Sequence, residues 1–306
     1  MRNKLFSSIN IVGLAISMST GLLLIAFMLD LHSYDKFHKN GKRIYRITNV
    51  ATFKGEQGQS RQGDKFASTS IKTGKLIRQK VTGVKEVAIM RNDFLADAQV
   101  GDNILPIKGF WAEPSLFRIF TFPMLEGNPE TALKDPYSIV LTETAAKKLF
   151  GNKSALGKAI KFDTLDYQVT GVMKDVPFFS HINFEALVSL STAEQLNRND
   201  KNFEKWTNMF SNSVYLMLPE NARIASIQSQ LDAIAKQENL AEENTKIQLE
   251  LLPLYDIVVG ENLRSGSMSG SVGPHMPPVV LWILGGLAFV VILSVTSLSV
   301  LDEIKN

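Results

Sequence analysis

The chain has 306 residues, 45% hydrophobic and 21% charged, and its 33 basic and 30 acidic residues leave a formal charge of only +3. Charges so nearly balanced and spread along the chain give no concentrated positive field for a polyanion, so no nucleic acid is expected as a partner. There are no cysteines, which removes disulfides, thiolate metal sites and cysteine nucleophiles, and suits a bacterial extracytoplasmic domain held by its core alone.

The apolar residues are concentrated at the two ends. Residues 9–29, INIVGLAISMSTGLLLIAFML, run 21 positions without a charge, enough helix at about 1.5 Å per residue to cross a hydrocarbon layer roughly 30 Å thick. Arg2 and Lys4 precede it. A signal peptide has a similar basic start, but its apolar stretch is about 7 to 15 residues and ends in an A-x-A site, so this segment reads as an uncleaved anchor. The same two basic residues favour a cytoplasmic start. Gly13, Ser17 and Gly21 recur every fourth residue, a stripe of small side chains that lets another helix approach closely; these are the candidate helix-packing residues.

Residues 33–42, SYDKFHKNGK, read as a short polar stalk continuing the helix out of the membrane. RIYRITNV, residues 43–50, has the β-branched and aromatic content of a strand. Residues 52–70 are polar, a loop or hairpin. Ile71, Leu76, Ile77 and Val81 mark a helix, and VKEVAIM at 84–90 a strand. The stretch from 94 to 190 carries strand signals, a short aromatic helix at SLFRIF (115–120), a strand at SIVL (138–141), a helix and two more strands. TETAAKKLFG, residues 142–151, is the clearest element. Glu143 stands in its first turn, Lys147 and Lys148 in its last, and Gly151 where a left-handed cap belongs. YQVTGVM at 167–173 alternates as a half-buried strand does.

A polar segment at 192–205 closes this block, and SVYLML at 213–218 opens a new unit. Ile224, Ile227, Leu231 and Ile234 then share one helix face, and KIQLELL at 246–252 alternates as a strand. Residues 266–278 form a Gly/Ser linker into VVLWILGGLAFVVILSVTSLSVL, residues 279–301, a second span of 23 uncharged residues. Gly285, Gly286 and Ser294 make a weaker packing face there. Tyr34 and Trp282 fall near the outer ends of the spans, where amphipathic rings settle at the headgroup level. Both termini are thus expected in the cytoplasm and residues 32–277 in the periplasm. The order strand-helix-strand, β-rich block, strand-helix-strand predicts an α+β extracytoplasmic domain, split by an insertion and flanked by two transmembrane helices.

No chemistry of its own is expected of this domain. The stretch nearest to a phosphate-binding loop, residues 151–158, has the wrong glycine spacing and Ala159 in place of the metal-binding hydroxyl. His32, His38, His181 and His275 lack ligand spacing, and no nucleophile motif occurs. Asp163, Asp166 and Asp175 read as turn residues, and Met173, Met209 and Met217 as core. No catalytic, cofactor-binding or metal-ligating residue is expected.

Four segments carry a family signature: INIVGLAIS, HSYDKFHKNGKRIYRITN, FTFPMLEGNPETALKDPYSIVLTETAAKKLFGNKSALGKAI and YQVTGVMKDVPFFSHINFEALVSL. Together they resemble the MacB/FtsX-like permeases of ABC transporters, in the form common in Bacteroidetes, over residues 6–293; LLPLYDIVVGENL at 251–263 resembles the segment leading back to the membrane. The resemblance implies a MacB-like periplasmic core domain with a porter-like half split over residues 43–93 and 206–264 and a sabre-like half inserted at 94–205. Residues 1–42 would be the first span and stalk, and 265–306 the linker and second span.

It further implies a multi-pass protein of the bacterial inner membrane, paired with a second permease as a homo- or heterodimer. A cytoplasmic ABC ATPase subunit would hydrolyse the ATP, and periplasmic partner proteins would meet the domain. Family permeases have at least four spans, so the expectation is a piece of a longer permease; the alternative is a truncated member. Two rival readings are a two-span sensor with an extracytoplasmic ligand-binding domain and an FtsX-like regulator of cell-wall hydrolases.

Overall fold

The computed structural model describes residues 2–54, 63–260, 263–264, 276–277 and 279–287. All of the linker expected at 266–278 except residues 276–277, the centre of the polar loop at 55–62 and the second span beyond residue 287 lie outside them. The chain divides into two compact units: Met1–Tyr34 with Val258–Asn262 and Pro274–Asn306, and Asp35–Ile257 with Leu263–Gly273.

In the first unit, helix α1 (Arg2–Ser33) is one unbroken rod, and Ile11–Ser33 is long and apolar enough to cross a membrane. Most of its large side chains are exposed, as a lipid-facing helix requires. The more covered positions are Leu14, Ser17, Gly21, Leu24, Met28 and Leu31, alternating three and four apart. That is the seam of two helices packed side by side. At its outer end Leu31 is buried with Val258 and Leu281, flanked by Met28, Tyr34, Val259 and Met276. Residues 279–287 are helical and run beside α1, with 3.5 Å between a Cβ placed at Gly285 and the Met28 Cε.

The second unit is built on one continuous sheet. Its strands are β1 (Ile44–Phe53), β2 (Asp64–Phe66), β3 (Glu86–Val100), β4 (Asn103–Ala112), β5 (Met124–Gly127), β6 (Ser138–Thr142), β7 (Ala159–Phe162), β8 (Leu165–Met173), β9 (Ala186–Ser189), β10 (Asn212–Met217) and β11 (Thr245–Pro253). Their order is β11-β1-β10-β3-β4-β9-β6-β8-β5, with β2 on β1 and β7 bridging β3 and β8. Strand β3 joins the halves: residues 86–91 pair with β10, and residues 94–100 pair with β4. Between them the register shifts at a bulge where Asp93 has φ of 93°. Gly109 lets β4 lie against β9, since a side chain there would strike the Ala186 carbonyl.

Helices α2 (Ile71–Lys80), α3 (Ser115–Ile119), α4 (Glu143–Phe150), α5 (Leu190–Leu196) and α6 (Ile224–Glu238) cover the faces. One core joins α2, α5 and α6 to β1, β3, β10 and β11; it draws on residues 47–89 and 190–249. A second, packed by α4, comes wholly from residues 94–188. A third gathers Ile44, Met90, Leu116, Phe120, Phe122, Phe184, Tyr215 and Leu254 beneath the segment that follows α1.

Four expectations need correction. The strand expected at 84–90 runs on to Val100, because the charged run Arg91–Asn92–Asp93 is a bulge and not an end. Two strands were expected after the 142–151 helix and three are found, β7, β8 and β9, and the helix α5 runs into the segment read only as polar. Buried on every side, β9 has no alternating pattern to reveal it. Nor do residues 34–42 continue the helix: α1 stops at Ser33, turns follow, and Asp35 and His38 are buried. The reason is local, since Asp35 takes the left-handed conformation at φ of 61°, which ends a helix and which Asp tolerates better than most residues.

Candidate functional site

The polar residues of that turn enter the core and meet others brought from distant strands. Asp35, 1% exposed, is gripped through its backbone, whose N–H donates to the Phe179 carbonyl at 2.9 Å. Its Oδ1 accepts from the His181 N–H at 3.2 Å and from the Ser180 hydroxyl at 3.5 Å. The His181 Nδ1 lies 2.9 Å from the same oxygen, without the alignment of a hydrogen bond. On the other side of the imidazole, Nε2 is 2.9 Å from the Tyr215 hydroxyl. That hydroxyl in turn interacts with the guanidinium of Arg46, the cross-strand neighbour of Tyr215 on β1.

The chemistry of the end groups sets the direction of this chain. A carboxylate only accepts and a guanidinium only donates. With Nδ1–H turned to Asp35, His181 Nε2 accepts from the Tyr215 O–H, whose oxygen accepts from Arg46. A buried negative charge is thus linked to a buried positive one through two neutral groups, which compensates both ions without direct contact. Arg46 Nε and Nη1 and Asp35 Oδ2 have no hydrogen-bond partner among the described residues. A small cavity beside the chain, lined by Met90, Asn92, Phe110, His181, Ile182, Ser213 and Tyr215, mixes polar and apolar walls and at about 10 Å³ is barely large enough for one water.

His38 forms a second contact with Asp35, its Nε2 being 3.7 Å from Oδ1. Its Nδ1 accepts from the Thr121 N–H at 3.0 Å, so the proton of the neutral ring is on Nε2 and faces the carboxylate. Burial pushes the His38 pKa down to about 4; Asp35 opposes the shift and His181 adds to it. Burial likewise lowers the Arg46 pKa and raises that of Tyr215, the Arg46 charge opposing the latter. Aromatic rings close the site against water, with Phe120 edge-on to both His38 and Tyr215 at 4.9 Å and Phe122 edge-on to His38 at 5.4 Å. Gly41 passes under Tyr255, whose ring leaves no space for a side chain.

Nothing in this arrangement presents a reacting group to a substrate. Every titratable member is buried, and among the described residues no group of His, Cys, Asp or Glu is placed to hold a metal ion. The larger groove, about 490 Å³, lies between α2, β3 and α3, and five of its six charged side chains pair with one another: Arg78 with Glu113, and Arg118 with Glu86 and Glu130, leaving Lys85. The buried cluster is a structural joint, since it ties residues 35–46 to the sheet and to the 179–182 turn.

Of the candidate helix-packing residues, Gly13 is exposed with open space around it, Ser17 is half-buried and Gly21 is buried. They lie far along the chain from the joint, which separate reading of each segment did not reveal. A signal was present: Asp35, His38, Gly41 and Arg46 fall in HSYDKFHKNGKRIYRITN, and Ser180 and His181 in FFSHINF, two of the segments that carry the family resemblance. Polar residues in such segments of a chain without catalytic motifs are candidates for a buried network.

Comparison with known proteins agrees with this architecture. Residues 7–234 match the model of the MacB-like periplasmic core domain. A solved domain of a protein described as a permease from Porphyromonas gingivalis superposes with a TM-score of 0.59 at 19% identity, covering 76% of this chain and 97% of its own. The extracellular domain of the noncanonic ABC-type transporter YknZ from Gram-positive bacteria is similar at 18% identity, with a TM-score of 0.45 and 66% and 99% covered. The periplasmic region of MacB from Actinobacillus actinomycetemcomitans is similar at 15%, with a TM-score of 0.45 and 68% and 89% covered. No curated protein matches. The chain belongs to the MacB-like periplasmic core domain family, the extracytoplasmic part of ABC-type transporter permeases.

Proposed function

We propose that this chain is the permease subunit of an ABC transporter of the MacB/FtsX type, or part of one, and that it converts ATP hydrolysis by a cytoplasmic partner into movement of its periplasmic domain. The observation that carries this reading is the joint. Only Tyr34 separates the last residue of α1 from Asp35, and Asp35 is locked to β1, β10 and the 179–182 turn by buried polar contacts. A membrane helix followed by a flexible linker would lose its displacement in the linker, whereas here the first residues past the helix are already part of the core.

The same reading divides the periplasmic unit into a porter-like part, residues 43–93 and 206–264, and a sabre-like part, residues 94–205, moved together through β3. Within the membrane, the covered seam of α1 that includes Ser17 and Gly21 packs on another helix of the permease, and a second permease completes the dimer. Export or extraction of a substrate on the periplasmic side is the work such a movement performs. Purification of the protein from native membranes, with mass spectrometry of what accompanies it, tests the proposal. The expected companion is a nucleotide-binding subunit. Recovery of a signalling kinase in its place would overturn the transport reading in favour of a sensor.

A further inference from the structure

Phe178 is 85% exposed, more than any other large hydrophobic residue among those described. Leaving such a ring in water forgoes roughly 1.5 to 3 kcal/mol of burial, yet the loop that carries it is firmly held. Pro177 precedes it, the Phe179 ring stands edge-on to it at 5.1 Å, and the Phe179 carbonyl accepts from Asp35. Held in that way, Phe178 is presented by the fold and not left loose.

Chain connectivity says what it is presented to. The apolar run of α1 ends at Leu29, residues 30–33 add about 6 Å of helix, and Asp35 follows Ser33 by two residues, at most about 8 Å. The headgroup layer extends roughly 5 to 8 Å beyond the hydrocarbon on each side. Chain connectivity therefore keeps Asp35, whose N–H is bonded to the Phe179 carbonyl, within about 14 Å of the hydrocarbon edge.

The charges nearby suit the same surface. Lys39 and Lys174 are exposed on segments laced to this turn, Lys39 through Thr121 and Lys174 through Pro123, while the Lys36 ammonium sits over the Tyr255 ring at 3.6 Å. The neighbouring exposed acid, Asp175, is occupied by the Thr144 N–H and hydroxyl. An aromatic ring flanked by lysines is the composition that settles at a bilayer interface.

We propose that the turn at residues 176–179 docks into the headgroup layer of the bilayer that α1 enters, with Phe178 as its anchor and Lys39 and Lys174 facing anionic headgroups. The proposal rests on the membrane reading of α1. Such a contact would brace the joint against the membrane surface and give it a fulcrum.

The chain has no cysteine, so single labels can be placed without other changes. Phe178→Cys, Leu23→Cys in the middle of α1 and Leu240→Cys in the exposed turn after α6 are spin-labelled in the full chain, reconstituted into phosphatidylcholine vesicles with and without phosphatidylglycerol. Collision with oxygen, which partitions into lipid, is compared with collision with a water-soluble nickel complex. The label at 178 is expected to favour oxygen more than that at 240 and less than that at 23, and to shift further towards oxygen when phosphatidylglycerol is present. A label at 178 as open to nickel as that at 240, with 23 in lipid, overturns the proposal. So does a label at 178 shielded from both reagents, which would mean a protein partner. A label at 23 open to nickel would instead refute the membrane reading.

Discussion

Asp35 combines a left-handed backbone with a buried carboxylate, and each property can be altered separately. Asp35→Asn keeps a side chain that tolerates positive φ and removes the charge; Asp35→Ala removes both. Both leave Arg46 buried without its counter-charge, so a loss of about 3 to 5 kcal/mol is expected in denaturant titration, the Ala variant the worse of the two. Tyr215→Phe deletes the hydroxyl between His181 and Arg46 and is expected to cost about 1 to 3 kcal/mol, a buried donor and acceptor being left unpaired. His38 adds a pH dependence of known sign. Its pKa of about 4 lies below its ordinary value of 6.5, so the unfolded chain binds the proton first. The stability it contributes is complete above about pH 6.5 and is lost as the pH falls towards about 4, by about 3 kcal/mol over that window. Thermal melts across this range should show the loss, and His38→Gln, which can still accept from the Thr121 N–H, should flatten it. The individual residues of this network stood in plain view in the sequence. What could not be read was their partnership, since Ser180 and Asp35 are 145 positions apart and polar residues in a turn look solvated until something covers them.

Elements with local causes were legible, and those with distant causes were not. Helix α4 begins where expected because the Thr142 hydroxyl accepts from the Ala145 N–H, and it ends at Gly151 with φ of 64°. Thr142→Ala is expected to destabilise by about 1 kcal/mol in the same denaturant titration. Strand β8 showed itself by alternation, because its side chains at 165–169 point alternately to core and solvent. By contrast β9, buried on all sides, owes its conformation to pairing with β4 and β6. The continuation of β3 past its bulge likewise depends on β4, which carries the pairing on from Gly109 to Asn103. Gly109→Val, whose side chain would meet the Ala186 carbonyl, should loosen the β4–β9 pair and raise amide exchange at residues 186–189.

At the scale of the whole molecule, the transport reading predicts that the joint matters to coupling more than to assembly. In native membranes Asp35→Asn should still be recovered with its nucleotide-binding partner, and ATP-dependent movement of the periplasmic domain, read by a pair of fluorophores placed across it, should be lost. A first helix apolar enough to cross a membrane and an α+β domain after it followed from the sequence by itself, because a 21-residue apolar run and periodic burial are properties of short stretches. Only the tertiary structure decided that residues 35–42 join the core of the domain and do not continue the helix as a stalk. The cause is physical: a buried carboxylate needs partners, and these come from a turn and a strand more than a hundred residues away, which no local pattern records.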